Sequence, residues 1–424
     1  MGKLNRDIFF YLLIILVLYQ FNSCRKAPAN ADHKTFLKTF SNDSVRSQYG
    51  MFIEQLNDES FIIISFVNNY PVITRTDQYG DIISQKAVAD SSFNFSGPQK
   101  QGPNNLVTYN GVTLFNVSTT GDPWHFLAQA GRVLIVFDTS GKITNNTLVP
   151  LSASSLIKYT HAFFNSAVQN GTGFLAAYCD GLYSSSVTDK IFSYDANLNP
   201  VKTDFIPDNK LGGHTLAFNL CPGIRSEPYA IFGHKFTRNK WVATNCSKLF
   251  AAKVPTSPGA VIQTMIDTGD QLTKDIYVWQ TPGPDSDVVV LGQRYNIDNL
   301  KLIYPIAVKF DKNLNVVWKK TYDVDYGSFS CMNIINCNDG GFLIVGSLGK
   351  EGNPNEKPCM LKIDANGNKL WEKTINSQSG TGEFLYGIQL ADGGYAFVGD
   401  SKQFGKGKNG SQLIFVRTDA SGNY

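Results

Sequence analysis

The sequence predicts an all-β fold: a seven-bladed β-propeller of four-stranded antiparallel blades over residues 34–424, closed by an N-terminal strand that completes the last blade. Three observations lead there. A turn motif recurs at a near-constant period, and short apolar runs without helical periodicity lie between the turns. The last repeat lacks its fourth strand, while a matching strand sits at the other end of the chain.

The repeat is plainest near the C-terminus. Asn338-Asp339-Gly340-Gly341-Phe342 through Gly346 is answered by Ala391-Asp392-Gly393-Gly394-Tyr395 through Gly399. Each is followed by a polar loop and a strand ending in an Asp-x-x-Gly-Asn turn, at Asp364 to Asn368 and Asp419 to Asn423. Glycine and Asx residues supply the left-handed positions of tight hairpins. Traced backwards, the turns start at 77, 138, 195, 255, 311, 364 and 419, with intervals of 61, 57, 60, 56, 53 and 55. The turn at Pro255 to Gly259 is degenerate and lacks the Asp. Each unit reads as strand A, Asp-Gly-Gly turn, strand B, longer loop, strand C, Asp-x-x-Gly turn, strand D.

The seventh unit stops at its C–D turn. Phe36-Leu37-Lys38-Thr39-Phe40 follows the aromatic-x-Lys-Thr-apolar pattern of Trp318 to Tyr322 and Trp371 to Ile375, so it supplies the missing strand D. Unpaired, the open edge would invite edge-to-edge association.

Composition agrees. Glycines number 37, and Phe and Tyr 29 and 19, a leaning towards strands and turns. A net charge of +3 with no long basic run gives no reason to expect nucleic acid. The N-terminus reads as a signal peptide over 1–23: Lys3 and Arg6, an apolar run from Ile8 to Tyr19, then Asn22-Ser23-Cys24. Twelve apolar residues are short of the ~20 that span a bilayer. Cys24 at the cleavage point resembles a bacterial lipobox, although Phe21 stands where Leu is commonest; residues 24–33 read as a lipidated tether.

Asp-Gly-Gly-aromatic followed by Asp-x-x-Gly-Asn-x-x-Trp-x-Lys-Thr resembles the repeats of propeller-type envelope lipoproteins and secreted proteins of Gram-negative bacteria. The resemblance is loose over 34–424 and closer over 285–424. It implies a cell-envelope propeller, at the outer membrane, anchored through lipid on Cys24. The Trp is also similar to that of quinoprotein-type propeller repeats, whose scaffold members lack a cofactor. Lys362 stands where a sialidase Asp-box has Ser. In these families the turn and the Trp are structural, so Trp318 and Trp371 are expected to pack between blades.

Chemistry is sparse. His33, His125, His161, His214 and His234 form no metal-binding spacing, and no nucleophile elbow or phosphate loop occurs. Asp323 to Gly327 hints at a calcium loop but lacks the later ligands and reads as a D–A connection. No cofactor is expected. Besides Cys24 there are Cys179, Cys221, Cys246, Cys331, Cys337 and Cys359, most of them read as buried thiols. With 328–337 as one strand, Cys331 and Cys337 are expected on the same face about 20 Å apart, too far to bond.

A ligand is expected at the end carrying the long B–C loops. The candidates are Lys235, Arg238 and Trp241 in unit four, Arg294 and Tyr295 in unit five, Lys350 in unit six, and Lys402 and Lys406 in unit seven. His234, Lys240, Lys357 and Lys408 stand with them, against the acids Asp298, Glu351, Glu356 and Asp400. This basic, aromatic set suits an anionic partner. The expected role is a non-catalytic, lipid-anchored binding or scaffold protein for a glycan or an envelope protein. The alternatives are a glycan-active hydrolase or lyase and, behind it, a quinone-dependent dehydrogenase. Replacing Lys235, Arg238 and Lys240 by Ser should release an acidic glycan in a pull-down; undiminished capture would remove the basic-face idea.

Overall fold

The computed structural model describes 28 strands within residues 36–418 and most of the tight turns between them. Side chains are described mainly in 35–40, 48–87, 281–294 and 303–424, with gaps at loops. Residues 1–34, and with them the expected signal peptide, tether and Cys24, lie outside the described residues, as does the 255–259 turn.

Among the described residues the strands form seven four-stranded antiparallel sheets. Six are consecutive in sequence, spanning 48–87, 106–149, 163–206, 214–267, 273–321 and 329–374. The seventh takes three strands from 382–418 and its fourth from Phe36–Phe40. Phe36 pairs with Arg417, Lys38 with Phe415 and Phe40 with Leu413. Backbone pairing therefore joins the two ends of the described chain.

Successive sheets pack face to face through apolar side chains. Val345 and Met360 of the sixth meet Phe397 and Ile414 of the seventh. Val398 and Phe415 of the seventh meet Ile53, Phe61 and Ile63 of the first. Phe36 and Phe40 cover this last interface, with the Phe36 ring edge-on to Phe415 at 4.8 Å between centroids.

The junction of last and first sheets repeats the chemistry of the junction before it. The Gly382 N–H donates to the Glu356 carbonyl at 3.0 Å, and the Gln48 N–H donates to the Ser411 carbonyl at 2.8 Å. At the other end of the sheets, the Gln389 side-chain oxygen accepts from the Asn338 N–H, and that of Gln55 from the Ala391 N–H.

The Asp turns are built alike. Asp364 Oδ1 accepts from the N–H groups of Asn366 and Asn368, while Oδ2 accepts from the Asn368 side chain. Asp195, Asp311 and Asp419 repeat all three bonds; Asp77 makes the two backbone bonds. The fourth position is left-handed, with φ of 78° at Gly80, 75° at Gly367 and 78° at Gly422. Leu314 keeps that conformation at 65° and is buried.

An aromatic ring from the preceding sheet's strand D lies on that glycine. A Cβ on Gly367 would come within 3.1 Å of the Trp318 ring, on Gly422 within 3.0 Å of Trp371, and on Gly80 within 2.8 Å of Phe36. The lysine two residues later grips the end of the same turn. Lys320 donates to Asn368 Oδ1 at 2.5 Å, Lys373 to Asn423 Oδ1 at 2.6 Å, and Lys38 to Asp81. Aromatic-x-Lys is thus a latch onto the next sheet, and the expected packing role of Trp318 and Trp371 is met.

One expectation fails. Cys331 packs towards the fifth sheet with Phe329 and Ile334, whereas Cys337 packs towards the seventh with Ile335. A bulge between Cys331 and Asn333 inserts one residue and exchanges the faces, which a strict period of two does not anticipate. Both cysteines, and Cys359, are buried free thiols.

Phe36→Ala removes the ring from both Phe415 and Gly80 and should cost about 1–3 kcal/mol in a urea melt. A loss under about 0.5 kcal/mol would show that this strand carries little of the fold.

Candidate functional site

Strands B continue past their apolar runs, which relocates several expected loop residues. Lys235 lies in the strand Tyr229–Phe236, opposite Thr215 and Lys248. Arg294 and Tyr295 lie in the strand Val288–Asn296, opposite Tyr304 and Ile303. The hydrogen-bonded ladder runs on where hydrophobicity stops, so these are strand residues and not loop residues. Lys357 likewise begins a strand. The Arg294 side chain is half-buried and has an interaction partner. Arg238, Trp241, Lys350, Lys402 and Lys406 lie outside the described residues, as do Lys240, Lys408, Asp298 and Glu351. Of the eight candidates the structure describes the side chain of Arg294, and the backbone alone of Lys235 and Tyr295.

The structure does bring an acidic pair together. Six of the sheets carry a bulge in strand A, and the residue pair one step before it can be compared between them. It is Tyr49 and Phe66, Phe163 and Cys179, Leu216 and His234, Ile276 and Gln293, Ser330 and Ser347, then Glu383 and Asp400. Only the seventh sheet puts two carboxylates there. They lie directly opposite across adjacent strands, where Cβ atoms are about 4.5–5.5 Å apart. Glu383 is 6% exposed and Asp400 5%, and each has a further interaction partner.

Local backbone explains their placement. A Cβ on Gly399 would lie 1.9 Å from the Glu383 carbonyl oxygen, so only glycine lets the bulged strand approach at this point. Asp400 shares a face with Ala396 and Val398, which pack on the first sheet. Ser65, one step beyond Ile63 on the facing strand, is fully buried, and its hydroxyl has no hydrogen-bond partner among the described residues. On the opposite face, the Ser347 hydroxyl donates to Glu356 at 2.5 Å and the Ser401 hydroxyl to the Thr381 carbonyl at 2.6 Å. Asp400 belonged to the acids expected at this end. Glu383 was missed because it begins strand A, where the sequence shows no repeat signal.

Other carboxylates are occupied in holding the turns. Asp58, Asp287, Asp339 and Asp392 of the A–B turns pair with Arg75, Lys309, Lys362 and Arg417 of strands C, at 2.6, 2.5, 2.9 and 2.8 Å. Lys362 therefore has a partner of its own at the Asp-box Ser position. Burial works to raise the Asp339 carboxyl, but the Lys362 ammonium and the Gly341 N–H outweigh it and hold it below the usual range. Burial also opposes ionisation of Asp364 and Asp419, and the Asn368 and Asn423 donors overcome it. Among the described residues no cluster of His, Cys, Asp and Glu has the makings of a metal site.

No known family and no curated protein matches the sequence. Solved structures do match in shape. They include a protein of unknown function from Dyadobacter fermentans, at 9% identity and a TM-score of 0.48 over 73% of this chain and 92% of that one. An alpha-L-arabinanase of Penicillium chrysogenum aligns at 11% identity and 0.48 over 92% and 99%. The Trypanosoma rangeli sialidase aligns at 7% and 0.43 over 80% and 56%. None of these likenesses bears on what this chain binds.

Carboxyls held below about 3.9 stabilise the fold fully above that pH, and their contribution is lost as pH falls through the folded values. Urea midpoints should therefore be level from pH 7 to 5 and drop below about pH 4, with Asn368→Ala shrinking the drop. A midpoint that rises on acidification would contradict the turn chemistry.

Proposed function

We propose that the seven sheets are the blades of one closed β-propeller, a non-catalytic binding protein of the cell envelope held to the membrane by lipid on Cys24. The like-for-like junctions on either side of the seventh sheet support closure, since the last sheet receives the first with the same bonds it offers the sixth. Exported character rests on the N-terminal basic and apolar segments and the cysteine that follows.

The observation that carries the binding reading is the Glu383–Asp400 pair, two carboxyl groups where the five equivalent pairs of other sheets hold none. Each carboxyl group presents oxygens that accept hydrogen bonds, so a fitting ligand offers several donors in a small space. Vicinal sugar hydroxyls do so, and a glycan is the ligand class we favour. Opposed carboxylates also form the working pair of many glycosidases, which keeps hydrolysis as the second reading.

Glu383→Gln and Asp400→Asn should each weaken binding of an array-identified glycan at least about tenfold by calorimetry, as expected for loss of a carboxyl hydrogen-bond acceptor. Unchanged affinity in both variants would displace the site. New reducing ends formed by the native protein, and lost in both variants, would move the assignment to the hydrolase.

A further inference from the structure

In five sheets a bulge in the outer strand follows the Asp turn and turns one residue out of the ladder. That residue is Ile83 in the first sheet, Val201 in the third, Val317 in the fifth and Leu370 in the sixth; the second has Thr144. The four aliphatics are 57%, 68%, 55% and 55% exposed. Single exposed aliphatics need no explanation. Recurrence at one register position, on outer strands far apart in sequence, asks for one.

The chain's own entry point supplies it. Phe36 lies on Gly80, inside the turn that precedes Ile83, so the chain joins its first strand at the turn-bearing end. Eleven residues separate Cys24 from Phe36, a reach of at most about 40 Å when extended. A lipid on Cys24 would keep the sheets within that reach of the bilayer, where even weak partitioning of several side chains sets orientation.

We infer that the outward aliphatics after the Asp turns rest in the lipid interface, so that the Asp-turn end faces the membrane and the Glu383–Asp400 end faces away from it. The inference rests on the lipid-anchor reading.

The test uses the full chain, processed by its host and reconstituted into phosphatidylethanolamine–phosphatidylglycerol vesicles. Val317→Cys, and separately Lys357→Cys at the far end, carry an environment-sensitive dye, with the unsubstituted chain labelled in parallel. Headgroup nitroxide lipids should quench the dye at Val317 at least twofold more than the dye at Lys357. Equal quenching on a protein whose mass includes the lipid overturns the orientation and leaves the anchor standing. A mass without lipid overturns the anchor, and the orientation with it. A Val317 dye shielded in lipid-free detergent dilutions, with a doubled molecular mass by light scattering, assigns the surface to a second copy and overturns the membrane contact.

Discussion

An aromatic ring on a left-handed glycine, and a lysine closing over the same turn two residues later, is the contact on which the arrangement of sheets depends. Trp318 with Lys320, Trp371 with Lys373, and Phe36 with Lys38 each reach from one sheet to the next. The Asp turn beneath is stiffened by its own carboxylate, which takes up two backbone donors that would otherwise face solvent or go unpaired. A rigid turn makes a dependable seat for a ring, and the ring together with the left-handed backbone favours glycine there. Ring and glycine occur together at Gly80, Gly367 and Gly422, while the Asp311 turn forms with Leu314 in the glycine's place.

The interior follows from bulges. One extra residue in strand A exchanges the faces along that strand, so its two ends serve different interfaces. Glycine opposite the bulge lets the strands close up. The latches and the A–B ion pairs lie at the turn end, and the far end of the seventh sheet holds the Glu383–Asp400 pair. The pair before the bulge differs from sheet to sheet, and the two carboxyl groups of the seventh are the most pronounced departure.

The repeat, the four-strand unit and the pairing of Phe36–Phe40 with the last sheet were legible because each rests on residue types that local geometry demands: Asp and Gly in turns, an aromatic and a lysine in strand D. The A–B ion pairs were legible in principle, for Arg75, Lys309, Lys362 and Arg417 all stand two places before the turn Asp. Bulges were not, because an inserted residue leaves no mark on composition. That cost the relative placement of Cys331 and Cys337. The acidic pair was hidden for a related reason: Glu383 and Asp400 are 17 positions apart and meet only through a register that one bulge determines. Hydrophobicity also misjudged where strands B end, since backbone pairing does not stop at the last apolar side chain.

The seam strand has a consequence for assembly. Residues 36–40 emerge from synthesis long before their pairing partner, Gln412–Thr418. Throughout that interval an apolar β-segment waits with its edge open, and the first sheet waits for the neighbour that will latch it. Topology of this kind couples completion of the seventh sheet to delivery of all six sheets between its strands and favours slow, late locking over stepwise maturation. A chain released or cut short of its final strand would keep an orphaned N-terminal edge, primed to join the wrong molecule.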